Sequence, residues 1–227
     1  MTADEAKFPR FAPVGERAVL ITFDEVLSEA ASQQVRTLDW RLQHTPLAGV
    51  VEWIPAFNSL MVLYDPAQAA LTAVISWIEA CLVTDVQAVD RSPRLVEISV
   101  QYGGDDGPDL PAVAAYHGLT QTEVMERHTR GLYRVGMMGF MPGFAYLLGL
   151  DPDLTTPRLA TPRTHVPAGS VGIAGNQTGV YPLASPGGWQ LIGRTDLILF
   201  DPLNEPHFTL SPGDEVRFIP TQDSDLP

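Results

Sequence analysis

The chain is short of cations, of cysteine and of long apolar runs, and each shortage closes off a class of function. Among 227 residues there are 14 Lys or Arg against 27 Asp or Glu, a formal net charge of -13. Affinity for a phosphate backbone comes mainly from cations that release counterions, so nucleic acid is not an expected partner. Lysine occurs once, at Lys7, and every other basic residue is an arginine. Arginine makes planar, two-pronged contacts to carboxylates and phosphates, so individual arginines within motifs carry weight despite the acidic total. The single cysteine, Cys81, excludes an internal disulfide, and its apolar surroundings suit a small buried hydrophobe better than a catalytic thiol. No window is apolar over the length needed to cross a bilayer, and Met1-Thr2-Ala3-Asp4-Glu5 lacks the charged-then-apolar pattern of a secretory signal. A cytoplasmic protein without membrane association is expected. The five histidines, His44, His117, His128, His165 and His207, show no metal-ligand spacing, so no metal site is expected either.

With 45% hydrophobic residues, the chain has enough apolar sequence for one sizeable core or two modest ones. Ala18-Val19-Leu20-Ile21-Thr22-Phe23 reads as a strand. Ser28 is placed to cap a helix whose apolar positions Ala31, Val35, Leu38 and Leu42 keep helical spacing. Two β-type runs, residues 49–54 and 59–64, flank the turn Pro55-Ala56-Phe57-Asn58, and a second helix carries Leu71, Val74, Ile75, Ile78 and Leu82 on one face. The order β-α-β-β-α predicts an α+β domain of ferredoxin-like kind over residues 1–90. A polar stretch at 84–93 marks the boundary with a second domain, residues 91–222. There, residues 95–101 alternate as a strand, and Thr120 with Glu123 forms a capping-box signature for a helix holding Val124, Met125 and His128. Beyond Leu132, short strands alternate with turns. Seven of the 19 glycines lie between Gly169 and Gly193, interleaved with Val171, Ile173, Val180, Tyr181, Trp189, Leu191 and Ile192. That mixture predicts a mainly β domain, a small closed or partly closed barrel.

Three segments have the composition for chemistry. In Gly139-Phe140-Met141-Pro142-Gly143-Phe144-Ala145-Tyr146-Leu147, the aromatics Phe140, Phe144 and Tyr146 surround a rigid Pro-Gly turn. They can wall a ligand or simply pack beneath the barrel. A second segment sets Arg163, Ser170, Gln177 and Thr178 among glycines, where a guanidinium beside exposed backbone amides suits a carboxylate or phosphoryl group. In the third, Gln190 and Arg194 follow Ser185-Pro186-Gly187-Gly188-Trp189 and can orient an amide or carboxylate against the indole, unless Trp189 plugs the barrel. No Gly-Lys-Ser or Gly-Lys-Thr phosphate loop is present, and Gly169-Ser170-Val171-Gly172 is not a nucleophile elbow. His128 is expected to face a core; His165, in the Gly-Pro loop with Arg163, is the better placed of the two for chemistry.

Taken together, these segments resemble the family that includes the sporulation-kinase inhibitor KipI, the B subunit of 5-oxoprolinase and the first subunit of allophanate hydrolase. The resemblance rests on residues 139–147, on Pro162-Arg163 with Val166-Pro167-Ala168-Gly169-Ser170-Val171-Gly172-Ile173-Ala174-Gly175, and on residues 177–182 with 185–195. Weaker matches extend to Gly107-Pro108-Asp109-Leu110, and into the first domain at Asn58-Ser59-Leu60 and Tyr64-Asp65-Pro66. It implies a cyclophilin-like barrel for the second domain and two partners, a homologous carboxyltransferase-like C subunit and a third 5-oxoprolinase subunit. It also implies an ATP-dependent (ATP with Mg) opening of 5-oxoproline, a small-molecule substrate, to glutamate, with no cofactor assigned to this chain itself. A lactam is a stable amide, and phosphorylation of its oxygen would activate it for attack by water. Within that scheme Arg163 and Arg194 hold a carboxylate or phosphoryl oxygen, Gln177 and Gln190 orient the amide, and Phe140, Phe144 and Tyr146 exclude water. The same resemblance leaves open a KipI-like inhibitor of a sensor histidine kinase and a carboxyltransferase-like component of an allophanate- or urea-processing complex.

Overall fold

The computed structural model describes residues 8–83 and 93–221. The chain divides into two compact units, Met1–Ser92 and Pro93–Pro227. Most of the polar stretch expected to join the domains, residues 84–92, lies outside the described residues.

The first unit comprises β1 (Arg10–Val14), β2 (Ala18–Thr22), α1 (Glu29–His44), β3 (Val50–Pro55), β4 (Ser59–Tyr64) and α2 (Leu71–Val83). Ser28 caps α1 by accepting a hydrogen bond from the Ala31 N–H at 3.1 Å. Alternation along β4 buries Leu60, Val62 and Tyr64 against Val35, Leu38 and Leu42 of α1 and Val74, Ile78 and Cys81 of α2, all in one apolar cluster. Each large side chain so buried contributes about 1.5–3 kcal/mol. The sheet is antiparallel in the order β1-β2-β4-β3. This corrects the expected β-α-β-β-α series, which lacked β1. In a ferredoxin-like domain the edge beside the first core strand is taken by a strand that follows the second helix. Here an N-terminal strand takes that edge, pairing Arg10 with Thr22 through Val14 with Ala18.

The second unit contains β5 (Leu95–Tyr102), α3 (Leu110–His117), α4 (Gln121–Arg130), β6 (Tyr133–Met138), β7 (Ala145–Leu148), a short 3-10 turn (Pro152–Leu154), β8 (Arg163–Val166), β9 (Ser170–Ala174), β10 (Gln177–Val180), β11 (Ser185–Gly187), β12 (Gln190–Arg194) and β13 (Glu215–Pro220). Seven strands close into a barrel in the order β10-β7-β6-β13-β5-β12-β9, with β9 pairing back to β10. The expected mainly β second domain is therefore a closed barrel. Its first and last strands, β5 and β13, lie parallel, whereas the other pairs in the ring are antiparallel. Ile98, Val100, Val135, Leu147, Val171, Ile173, Ile192, Val216 and Phe218 form the core with Val113 of α3 and Val124 of α4. The capping box is present, with the Glu123 N–H donating to Thr120 Oγ1 and the Thr120 N–H to Glu123 Oε2. His128, on the inward face of α4, is fully buried, as expected of a core histidine. β8 and β11, with β9 and β10 between them in the chain, pair antiparallel as a separate two-stranded sheet.

Candidate functional site on the outer face of the barrel

Alternation decides what the glycine-rich strands present. Val171 and Ile173 of β9 belong to the barrel core, so Gly172 faces the other way, and it is paired with Gly179 of β10. A Cβ on Gly179 would stand 3.3 Å from both Phe144 Cζ and Trp189 Cζ3, and one on Gly172 would stand 3.1 Å from Trp189 Cβ. The glycines thus make room for aromatic rings on the outside of the barrel. Phe144, Tyr181 and Trp189 form a cluster of their own with Val166, Ala174 and Leu191, flanked by Tyr146. Phe144 meets Tyr146, Tyr181 and Trp189 edge-on, with ring centroids 4.8–5.4 Å apart. Trp189 therefore does not plug the barrel; it covers the outer face of β9 and β10.

The seven candidate residues do not converge on one place. Phe144 is wholly buried in the aromatic cluster, Tyr146 is half-buried at its edge, and Phe140 is 61% exposed above it. Phe140 has a left-handed backbone, φ 69°, and is the one described non-glycine residue with positive φ. That conformation costs about 1–2 kcal/mol. The turn that imposes it is held by the Gly139 N–H donating to the Phe144 carbonyl at 3.1 Å and the Phe144 N–H to the Met141 carbonyl at 3.1 Å. Gln177 starts β10 on the outward face, two residues before Gly179, which pairs with Tyr146. Its amide nitrogen is buried and has no hydrogen-bond partner among the described residues. An orphaned donor of this kind costs about 1–3 kcal/mol unless something accepts from it. Burial raises the pKa of both Tyr146 and Tyr181, so their hydroxyls remain protonated donors.

Arg163 and Gln190 are engaged in holding the site together. Arg163 Nη2 donates to Asp109 Oδ1 at 2.6 Å, and the other carboxylate oxygen accepts the Leu191 N–H at 2.6 Å. Gln190 Nε2 donates to the Pro157 carbonyl at 3.0 Å. Asp109 is largely buried and ties β8 to β12 through its two carboxylate oxygens. The Asp109→Asn variant keeps the shape and removes the charge, and it is expected to lower stability by about 2 kcal/mol. A urea-unfolding midpoint indistinguishable from that of the natural chain would show that the pair contributes nothing. Arg194 stands apart: it lines a cleft of about 630 Å³ with Glu97, Ser99, Gln101, Asp106 and Thr195. There Arg194 Nε donates to the Ala168 carbonyl at 3.2 Å and Nη1 lies 3.7 Å from Asp106 Oδ1. His165 is exposed on β8 and Ser170 is buried in β9.

Two residues of this region, Asp109 and Arg158, receive no role from the sequence alone. The signal for Arg158 is a repeated triplet, Thr156-Pro157-Arg158 and Thr161-Pro162-Arg163, of which only the second stands inside the glycine-rich motif.

Comparison with known proteins matches residues 9–210 to the carboxyltransferase domain, subdomains C and D. The chain is 46% identical over 214 residues to the 5-oxoprolinase B subunit of Escherichia coli O157:H7, covering 92% of this chain and 95% of that protein. It is 41% identical over 222 residues to the 5-oxoprolinase B subunit of Bacillus subtilis, covering 93% and 92%. Among solved structures, TTHA0988 superposes with a TM-score of 0.81 at 38% identity; the match takes in 93% of this chain but only 41% of TTHA0988. The chain belongs to the carboxyltransferase C-and-D family, in the group of the 5-oxoprolinase B subunits and KipI.

Proposed function

We propose that the chain is the B subunit of an ATP-dependent 5-oxoprolinase, a cytoplasmic complex that opens the lactam ring of 5-oxoproline to glutamate. The observation that carries this reading is end-to-end similarity to 5-oxoprolinase B subunits, at 46% and 41% identity over nearly the full length of each. The outer face of the barrel supports it. A five-membered lactam ring is nearly flat, with apolar methylene edges, an N–H donor and a strong acceptor in its carbonyl oxygen. The half-buried Tyr146 ring and the exposed Phe140 offer an apolar wall, and the orphaned Gln177 amide offers a donor. Among the described residues no group of three or more His, Cys, Asp or Glu is arranged to hold a metal ion. We assign ATP and Mg to the complex as a whole, whose other members are a carboxyltransferase-like C subunit and a third chain. What this chain supplies is a rigid wall that binds the ring, orients its amide and excludes water.

The test is 5-oxoproline-dependent ATP hydrolysis and glutamate release by the chain alone and then with its partners. Turnover is expected only in the assembled complex. Gln177→Leu is expected to lower kcat/KM by about tenfold or more, the loss of one buried hydrogen bond. No turnover by a verified, complete complex would shift the reading to a kinase regulator.

A further inference from the structure

Among the described residues, the outer face holds one cation that no other group pairs with. In the second unit Arg94, Arg127, Arg134, Arg163, Arg194 and Arg217 are each within 4 Å of a carboxylate. Arg158 is exposed and makes no hydrogen bond or ion pair among the described residues. Its backbone, by contrast, is pinned from both sides: Gln190 Nε2 holds the Pro157 carbonyl at 3.0 Å, and the Leu159 N–H donates to the Gly188 carbonyl at 2.7 Å. One residue further back, Thr156 bridges Gly175 in the β9–β10 turn. These anchors fix Arg158 beside Gly188-Trp189, at the border of the aromatic cluster. Its charge is felt by both Tyr146 and Tyr181, opposing the rise that burial imposes on each hydroxyl. A long side chain on an immobilised backbone, left without a counterion among the described residues and near enough to two phenols to act on both, has the makings of an anion site.

We infer that Arg158 binds the carboxylate of the substrate, with Gln177 on the same outer face donating to the lactam oxygen. This rests on the reading of the chain as part of an oxoprolinase and adds the specificity that reading lacks: the face selects cyclic amides that carry an acid group. It also reassigns a role. Arg163, the arginine inside the glycine-rich motif, is neutralised by Asp109, and Arg194 lies on a different cleft, so neither is the carboxylate's partner.

The Arg158 Nε–H and Gln177 side-chain amide resonances of the full chain would be followed by NMR during titration with 5-oxoproline, acetate and 2-pyrrolidinone, the same ring without its carboxylate. Both carboxylates are expected to shift Arg158, whereas 2-pyrrolidinone shifts Gln177 alone. Arg158→Gln is expected to abolish the response to acetate and weaken 5-oxoproline by about tenfold or more, with unchanged thermal unfolding. Arg130→Gln, at another exposed arginine with no ion pair among the described residues, is the control and is expected to bind as the natural chain does. An Arg158 resonance that stays in place with both carboxylates overturns the inference, as does equal loss in the two variants. If acetate binds through Arg158 while a complete complex fails to turn over 5-oxoproline, the oxoprolinase reading fails and the carboxylate site stands.

Discussion

Replacing Gly169 by alanine is expected to destabilise the barrel by about 3 kcal/mol or more, beyond most single substitutions. Gly169 has φ +82°, and a Cβ built there would stand 2.1 Å from the Thr195 carbonyl oxygen. The obstacle is backbone, so no side chain can rotate out of the way. Nor can the residue slide, because its N–H donates to the Tyr181 carbonyl at 2.7 Å and its carbonyl accepts from the Thr195 N–H at 2.9 Å. Gly175 separates the two causes. It has φ +57° with nothing within 4 Å of the added atom, so Gly175→Ala isolates the conformational cost and is expected to lose about 1 kcal/mol. Urea unfolding of the two variants checks this; equal losses would mean that the clash at Gly169 is relieved by movement of β12.

His128 is expected to make the barrel acid-sensitive well above the carboxylate range. Its Nδ1 lies 2.7 Å from the Tyr102 hydroxyl and its Nε2 lies 2.9 Å from Thr178 Oγ1. Thr178 gives its own hydrogen to the Gly172 carbonyl at 2.9 Å, so it accepts from Nε2–H, and Nδ1 accepts from Tyr102. The ring is therefore neutral, with its proton on Nε2. Burial lowers the His128 pKa to about 3 from an ordinary value of 6.5, and burial, with Tyr133 nearby, keeps Tyr102 protonated. A depressed folded-state pKa means that the unfolded chain takes up the proton first. This contribution to stability is complete above about pH 6.5 and falls by up to about 1.4 kcal/mol per unit as the pH drops from there toward 3. His128→Leu is expected to be less stable at pH 7.5, because Tyr102 and Thr178 lose a partner, yet to show a flatter decline between pH 6.5 and 4.5. Parallel pH profiles of unfolding free energy for the two proteins would refute the assignment.

The elements that could be read from the sequence are those whose signal is local. The Ser28 cap, the Thr120–Glu123 capping box and the β-type run at 59–64 each sit in a few consecutive residues and reappear as expected. β1 escapes such a reading because it is an edge strand containing Pro13, four of its five residues are exposed, and only pairing with β2 makes it a strand. α3, which sequence patterning did not mark, is eight residues long with Pro111 in its first turn and no side-chain cap. The site was legible in composition but not in geometry. The glycines and aromatics of residues 139–195 do assemble on one face, because Gly172 and Gly179 admit the rings of Phe144 and Trp189. Which arginine is left unneutralised depends on Asp109, 54 positions before Arg163, and no local pattern shows that.

The parallel seam between β5 and β13 has a consequence for synthesis. In the ring β13 stands between β6 and β5, so until residue 220 has left the ribosome both of those strands have an unsatisfied edge. The β-sheet of the first unit, by contrast, draws all its strands from residues 10–64 and can be finished while the barrel is still being made. Pairing residue 95 with 215 also closes a very long loop, which favours slow folding. The nascent chain thus has a folded first unit followed by a partly built barrel with exposed strand edges, and that interval is when it depends most on chaperones or on a partner to keep it from aggregating.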